Sequence, residues 1–408
     1  MERNNTINKK KVAILIPNLA NGGAERMASN LSFILSDEYD ISFILFDGSK
    51  IDYPYSGSII DMQLPPVDGK FRKLLMMFRR IMKLRKIKAK HKFHITISFL
   101  ENANVANLFS RKTDKLVLTV HNFNSKRNYG FFYELTYRWL MKAFYNKADR
   151  IIAVSQMVAW DMVKNFDIIE EKIEIIYNFI NIDSIKSLMN QPIDSTMERI
   201  FEKPVIINVG RLYPQKGHIH LIRAFSMVIK KIPDAQLVIL GHGEMEQELK
   251  ALSQKLGIAE NVKFLGFQQN PYRWMARSKA LVLSSLFEGF GNVLIEAMCC
   301  ELPVISTDCR SGPREILSPE TPMEHQAKSI EYSQYGILTP VWTDEPARPY
   351  DISQNPLTRE EKLLAEGMIR LLTDEELRQH YILQSKKRVM DFNRDKAACQ
   401  WHDIINNL

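Results

Sequence analysis

Two carboxylates eight residues apart, Glu288 and Glu296, stand in SLFEGFGNVLIEAM (285–298) on either side of a glycine-rich corner. On one continuous helix that spacing returns to nearly the same face, and glutamate is an ordinary helix former. The residues just before them argue for another arrangement. Ala280 to Leu283 read as a buried strand, Gly289 and Gly291 as a turn, and a helix is expected to begin near Asn292. At such a corner of a parallel sheet, free backbone N–H groups and a helix N-terminus face an anion or a hydroxyl-rich ligand. A carboxylate beside them can accept hydrogen bonds from neighbouring hydroxyls.

Three further corners carry groups suited to a phosphorylated, hydroxyl-rich ligand. In NVGRLYPQKGHIHLIRAF, Arg211 ends an apolar strand and Lys216 stands at the start of the next helix. A guanidinium fork and an ammonium point charge beside one strand end suit a diphosphate, although each alone is an ordinary surface charge. In IPNLANGGAERMASNLS, Gly22 and Gly23 open a helix after the first strand, where small residues either let backbone approach a phosphate or make a plain tight turn. This is not G-x-G-x-x-G, and Asp47 is the nearest candidate for the ribose acid of a dinucleotide site. In LVLTVHNFNS, His121 closes an apolar strand, either as a structural ring or to meet a sugar hydroxyl or a developing charge. Asn178 in IIYNFIN reads as a turn or hinge residue, and STDCRSGPREIL offers Arg310, Arg314 and Glu315. Cys299, Cys300, Cys309 and Cys399 have no zinc-like spacing and no D-x-D sits at a strand end, so neither a metal nor a cofactor is expected.

These residues need strands that end beside one another. The runs VAILIP, ISFILF, HITISF, KLVLTVH and RIIAVS, then PVIINVG, AQLVIL, VKFLG, ALVLSS and LPVIST, alternate with helical stretches. That order predicts an α/β fold of parallel sheets covered by helices on both faces. Between IEIIYNFIN and KPVIINVGR the chain is polar and strand-poor, so residues 181–203 are expected to link a domain at 1–180 to one at 204–385. The tail 386–408 is expected to be helical and to pack back on the first domain, while the insert 340–362 carries no readable role. A length of 408 residues suits two domains, and 45% hydrophobic with 25% charged residues excludes a disordered or fibrous chain. The N-terminal apolar run stops at Pro17, too short for a signal peptide, and no run approaches the roughly 20 apolar residues of a membrane span. With so few cysteines, a reducing cytoplasm is expected.

The net charge is +8, and eleven Lys and Arg fall within KFRKLLMMFRRIMKLRKIKAKHK (70–92). Here Phe71, Leu74, Leu75, Phe78 and Met82 follow helical spacing and are expected to pack on the first domain. Arg72, Arg79, Arg80, Lys83, Lys86 and Lys90 crowd other faces and are expected to meet an anionic inner leaflet. A nucleic-acid partner is the alternative, but no base-stacking aromatic platform accompanies the charge.

GGAER, GRLYPQKG, LGHGEMEQELKALSQKLGIAENVKFLGF and SLFEGFGNVLIEAMCCELPVIST, in this order, resemble glycosyltransferase family 4, and the resemblance covers nearly the whole chain. It implies the GT-B fold, two Rossmann-like doubly wound domains facing a central cleft, the first binding the acceptor and the second the nucleotide-sugar. Glu288 and Glu296 match the family's E-x7-E element. The resemblance assigns the ribose to Glu296, a place nearer the transferred sugar to Glu288, and the diphosphate to Arg211 and Lys216. It carries a backbone contact onto Gly22 or Gly23, and donor-sugar contacts onto His121 and the loop Phe290, Gly291 and Asn292. His121 and Glu288 are thus the catalytic candidates. A retaining, metal-independent transfer is implied, from a UDP-sugar donor to a lipid-linked saccharide acceptor, in capsule, exopolysaccharide or O-antigen synthesis. The alternatives are a sugar-nucleotide epimerase of similar fold and a non-catalytic, basic nucleic-acid-binding protein.

Overall fold

A computed structural model describes residues 9–20, 22–126, 131–342 and 355–408. The chain forms two compact units, Met1–Phe179 with Arg394–Leu408, and Ile180–Asn393. Each is built on one seven-stranded sheet. In the first unit the strands are β1 (Lys11–Ile16), β2 (Asp40–Leu45), β3 (Ser58–Asp61), β4 (Ile95–Phe99), β5 (Lys115–Val120), β6 (Arg150–Ala153) and β7 (Ile173–Ile175). They lie in the order β3-β2-β1-β4-β5-β6-β7, every pair parallel. In the second they are β8 (Val205–Val209), β9 (Gln236–Leu240), β10 (Val262–Gly266), β11 (Ala280–Leu283), β12 (Val304–Thr307), β13 (Glu331–Ser333) and β14 (Gly336–Thr339). Their order is β10-β9-β8-β11-β12-β14-β13, with only the edge pair β13–β14 antiparallel.

The central strands are apolar along their whole length because helices cover both faces. Val12, Ile14, Ile16, Ile97 and Val117 pack on one side of the first sheet against Met27, Leu31 and Leu35 of the helix Gly23–Leu35. Ala397, Trp401, Ile404 and Ile405 of the last helix, Arg394–Asn406, join the same core. In the second unit Leu221, Ile222 and Phe225 of the helix His218–Lys231 meet Leu237, Ile239 and Val282. Residues 181–203 carry a helix, Ile182–Met189, which packs on the helix Tyr272–Met275 within the second unit. Residues 343–354, the middle of the insert 340–362, lie outside the described residues.

The basic segment is one helix, Lys70–His91, but it sits the other way round from the expectation. Phe71 is 79% exposed, Leu74 70%, Phe78 60%, and Leu75 and Met82 43% each. The face that packs carries Met77, Ile81, Leu84 and Ile87, the first two and the last partly buried. Two of its cations are buried with it. Arg80 stacks over the Phe46 ring, 4.4 Å from its centroid, and donates to the Leu64 carbonyl at 2.7 Å. Lys88 donates to Asp114 at 2.8 Å and to Asn107 at 2.6 Å, and burial lowers its ammonium to about 8 against the opposing pull of Asp114. The helix has two apolar stripes, and the one interrupted by Arg80 and Lys88 is the one with partners for its charges. Among the described residues no helix is long and apolar enough to cross a membrane.

Candidate functional site

In the second unit the loops after β8, β9, β11 and β12 are knit together by backbone bonds. Leu212 N–H donates to the His242 carbonyl at 3.0 Å, and Leu286 N–H to that of Gln215 at 2.8 Å. Glu288 N–H donates to the Arg310 carbonyl at 2.8 Å, and Ser311 N–H returns to that of Glu288 at 3.0 Å. Glycines at these contacts, Gly217 and Gly312 among them, make this approach possible. A Cβ on Gly217, at φ +63°, would stand 2.1 Å from the Ser284 carbonyl oxygen. One on Gly312, at φ +96°, would stand 1.9 Å from that of Phe290. Both positions demand glycine for space and for backbone angle.

This packing brings Lys216 and Glu288 together. The ammonium lies 2.5 Å from Glu288 Oε1, and the Ser285 hydroxyl donates to the same oxygen at 2.6 Å. Arg211, in the same loop as Lys216, is exposed and rests over the Tyr213 ring at 5.3 Å, with no carboxylate in salt-bridge range among the described residues. Glu288 precedes the helix Asn292–Cys299, whose N-cap is Gly291 at φ +90°. Glu296 lies inside that helix, 6% exposed, so the pair does not share a helix face. The Phe290 ring is buried edge-on against Phe392, 5.5 Å between centroids. The Phe290 ring is therefore turned into the protein, and a ligand contact at this residue would use its backbone.

Under this corner His218 is 1% exposed. Asn208 spends its amide N–H on the Val282 carbonyl at 2.8 Å, so its oxygen accepts from His218 Nε2 at 3.0 Å. Burial, reinforced by the Lys216 charge, holds this imidazole down at about 3. Arg314 is taken up by Asp308 at 2.5 Å and Glu331 at 2.8 Å, and Arg310 donates to the Met323 and Glu324 carbonyls. These bonds tie the two arginines to the segment from Thr321 to Glu331. Ser285 and Gln215, whose amide donates to the Phe287 carbonyl at 2.8 Å, have no distinguishing mark in the sequence beyond their closeness to Glu288 and Lys216.

In the first unit His121 follows β5 and lines a small pocket with Met27, Phe99, Thr119, Asn178 and Trp401. Its ring stacks on Phe99 at 5.2 Å, Nε2 lies 2.8 Å from Thr119 Oγ1, and burial holds its pKa down at about 4. Asn178, read from sequence as a hinge residue, is 8% exposed in the same pocket. Gly22 is the extended N-cap of the helix beginning at Gly23, and its carbonyl accepts from Arg26 N–H at 3.0 Å. Among the described residues no cluster of His, Cys, Asp and Glu is arranged to hold a metal ion.

Two doubly wound units with glycine corners at their strand ends define a GT-B architecture. A solved structure of Anabaena HepE in complex with UDP and glucose has this fold, with a TM-score of 0.73 at 19% identity over 98% of this chain and 100% of that one. The description "Glycosyltransferase Family 4" matches residues 21–184, and "Glycosyl transferases group 1" matches residues 193–323. The N-acetylgalactosamine-N,N'-diacetylbacillosaminyl-diphospho-undecaprenol 4-alpha-N-acetylgalactosaminyltransferase of Campylobacter jejuni is 31% identical over 95% of this chain and 97% of its own length. An uncharacterized glycosyltransferase of Methanocaldococcus jannaschii is 41% identical over 65% of each chain. The chain belongs to the group 1 glycosyltransferases of the GT-B fold and is a glycosyltransferase.

Proposed function

We propose that this enzyme moves a hexose or N-acetylhexosamine from a UDP-sugar onto a saccharide carried by a lipid diphosphate, with retention and without a metal, in the assembly of a bacterial surface polysaccharide. The observation that carries the reading is the Lys216–Glu288–Ser285 cluster at the glycine corner, with Glu296 in the helix that follows. Arg211 and Lys216 would neutralise the departing nucleoside diphosphate as the glycosidic bond breaks. Glu296 would accept hydrogen bonds from the two ribose hydroxyls, and Glu288 and His121 would meet the transferred sugar. The C. jejuni relative, named for an α-linked transfer to a diphospho-undecaprenol saccharide, supports both the acceptor class and the retained configuration. Anabaena HepE, solved with UDP and glucose, supports the donor class.

The helix Lys70–His91 supplies the surface at which such an acceptor is met. Phe71, Leu74, Leu75, Phe78 and Met82 are exposed along it, and Arg72, Lys73, Arg79, Arg85, Lys86 and Lys90 are exposed on the same helix. An apolar ridge flanked by cations suits the boundary of an anionic bilayer, each basic residue there contributing about 1 kcal/mol. The reading places the enzyme on the inner face of the cell membrane. A panel of UDP- and GDP-sugars offered with a polyprenyl-diphosphate disaccharide tests the transferase reading. Nucleotide release that depends on the acceptor is expected, and release from no donor would overturn it.

A further inference from the structure

The first unit contains a polar chain threaded through its core. Lys88, which has protons to give and no lone pair when charged, donates to Asn107 Oδ1 at 2.6 Å. The amide of Asn107 must then present its nitrogen to the Ser98 hydroxyl, 3.1 Å away. That hydroxyl passes its own proton to Asn104 Oδ1 at 2.8 Å, and Asn104 Nδ2 donates to the Thr119 carbonyl at 2.9 Å. Each donor is committed by the one before it, beginning at a fixed cation. The residues concerned are at most 2% exposed, so each misdirected proton would leave a buried polar atom without a partner. Ser98 and Thr119 are thereby clamped on adjacent strands β4 and β5.

The Thr119 hydroxyl lies 2.9 Å from the Ser98 carbonyl and 2.8 Å from His121 Nε2. A carbonyl only accepts, so the single hydroxyl proton goes to Ser98, and the oxygen must accept from the ring. We propose that Thr119 is a positioning residue that fixes His121 in the tautomer carrying its proton on Nε2, and so presents Nδ1 as a hydrogen-bond acceptor for a sugar hydroxyl. Phe99, stacked on the ring at 5.2 Å, holds its plane, and Nδ1 has no partner among the described residues. An imidazole so held accepts a hydrogen bond from a hydroxyl and offers no donor at Nδ1 to a developing negative charge. Its use on a sugar rests on the function proposed above. The tautomer itself does not.

The two are separated by a spectrum and a rate. In protein labelled with 15N-histidine, long-range proton–nitrogen correlations report which ring nitrogen bears the proton, and the signal absent from His121→Gln is that of His121. At neutral pH the unliganded wild type is expected to show protonated Nε2 and bare Nδ1. Thr119→Val, of nearly the same shape, is expected to shift that signal toward the other tautomer, and Thr119→Ser to retain it. In the transfer reaction Thr119→Val is expected to lower kcat about tenfold, the worth of one hydrogen bond, with the nucleotide-sugar KM little changed and Thr119→Ser close to wild type. A proton on Nδ1 in the wild type, or an unchanged ring spectrum in Thr119→Val, would overturn the proposal. The expected spectra together with an unaltered rate would leave the tautomer standing and remove its role toward the sugar.

Discussion

Lys216 and Glu288 largely cancel each other's charge at the glycine corner, and Ser285 adds a neutral donor to the same carboxylate oxygen. Arg211 of that loop, held over Tyr213, has no carboxylate partner among the described residues. In the proposed reading a diphosphate would meet Arg211 directly and would have to share Lys216 with Glu288. Lys216→Met would leave the carboxylate facing the diphosphate without its partner and is expected to weaken UDP binding tenfold or more, about 1.4 kcal/mol. Adding Glu288→Gln should restore part of that loss. Calorimetric affinities for the two single variants and the double test this coupling, and additive effects would show that the pair does not act as a unit. Glu296→Ala is expected to cost about 2–3 kcal/mol of nucleotide affinity, roughly 30- to 150-fold, through the lost bonds to a ribose. Unchanged affinity would remove Glu296 from the nucleotide site. The glutamates were legible because a glycine corner separates them; Thr119 was not, because threonine inside a strand is an ordinary residue there.

At the scale of elements, the glycine corners and the helix starts were readable, whereas the facing of the basic helix was not. Phe71, Leu74, Phe78 and Met82 make as regular a stripe as Met77, Ile81 and Leu84, and periodicity does not say which stripe finds a neighbour. The choice depends on partners distant in sequence, the Leu64 carbonyl for Arg80 and Asp114 with Asn107 for Lys88. The exposed ridge carries its own prediction. Replacing Phe71, Leu74 and Phe78 with Ser should abolish sedimentation with anionic vesicles, since each apolar side chain buried in a bilayer contributes on the order of 1.5–3 kcal/mol. Arg79→Gln with Lys86→Gln should lower binding to anionic vesicles and leave the weak binding to neutral ones unchanged. Equal binding by all variants would return the ridge to an uninvolved surface. At the glycine corner of the second unit, Gly312→Ala forces a methyl against the Phe290 carbonyl at positive φ. It is expected to destabilise the second unit by about 1–3 kcal/mol in urea unfolding.

Across the whole molecule, the ten apolar runs located the inner strands of both sheets except β14, and the edge strand β10, because strands buried on two faces are apolar throughout. The strands at Ser58–Asp61, Ile173–Ile175 and Glu331–Ser333 lie at sheet edges and are only partly buried, so polar residues interrupt them, and Gly336–Thr339 holds just Ile337 and Leu338 between a glycine and a threonine. Stability should depend on pH through His121 and His218, which the fold holds neutral down to about 4 and about 3. Unfolded histidine takes up a proton near pH 6.5, so both contributions are complete above that value. As pH falls below it only the unfolded chain gains protons, and stability declines through the window from about 6.5 to about 4, continuing for His218 to about 3. Urea unfolding at a series of pH values should show this decline, with a shallower slope in His218→Gln. The central claim is tested most directly by nucleotide release in EDTA, with the donor panel and a polyprenyl-diphosphate disaccharide, and with the new linkage read by NMR. The expected result is acceptor-dependent release of UDP and an α-linked product from wild type, with both nearly lost in Glu288→Gln; a β-linked product, or turnover only when manganese or magnesium is restored, would contradict it.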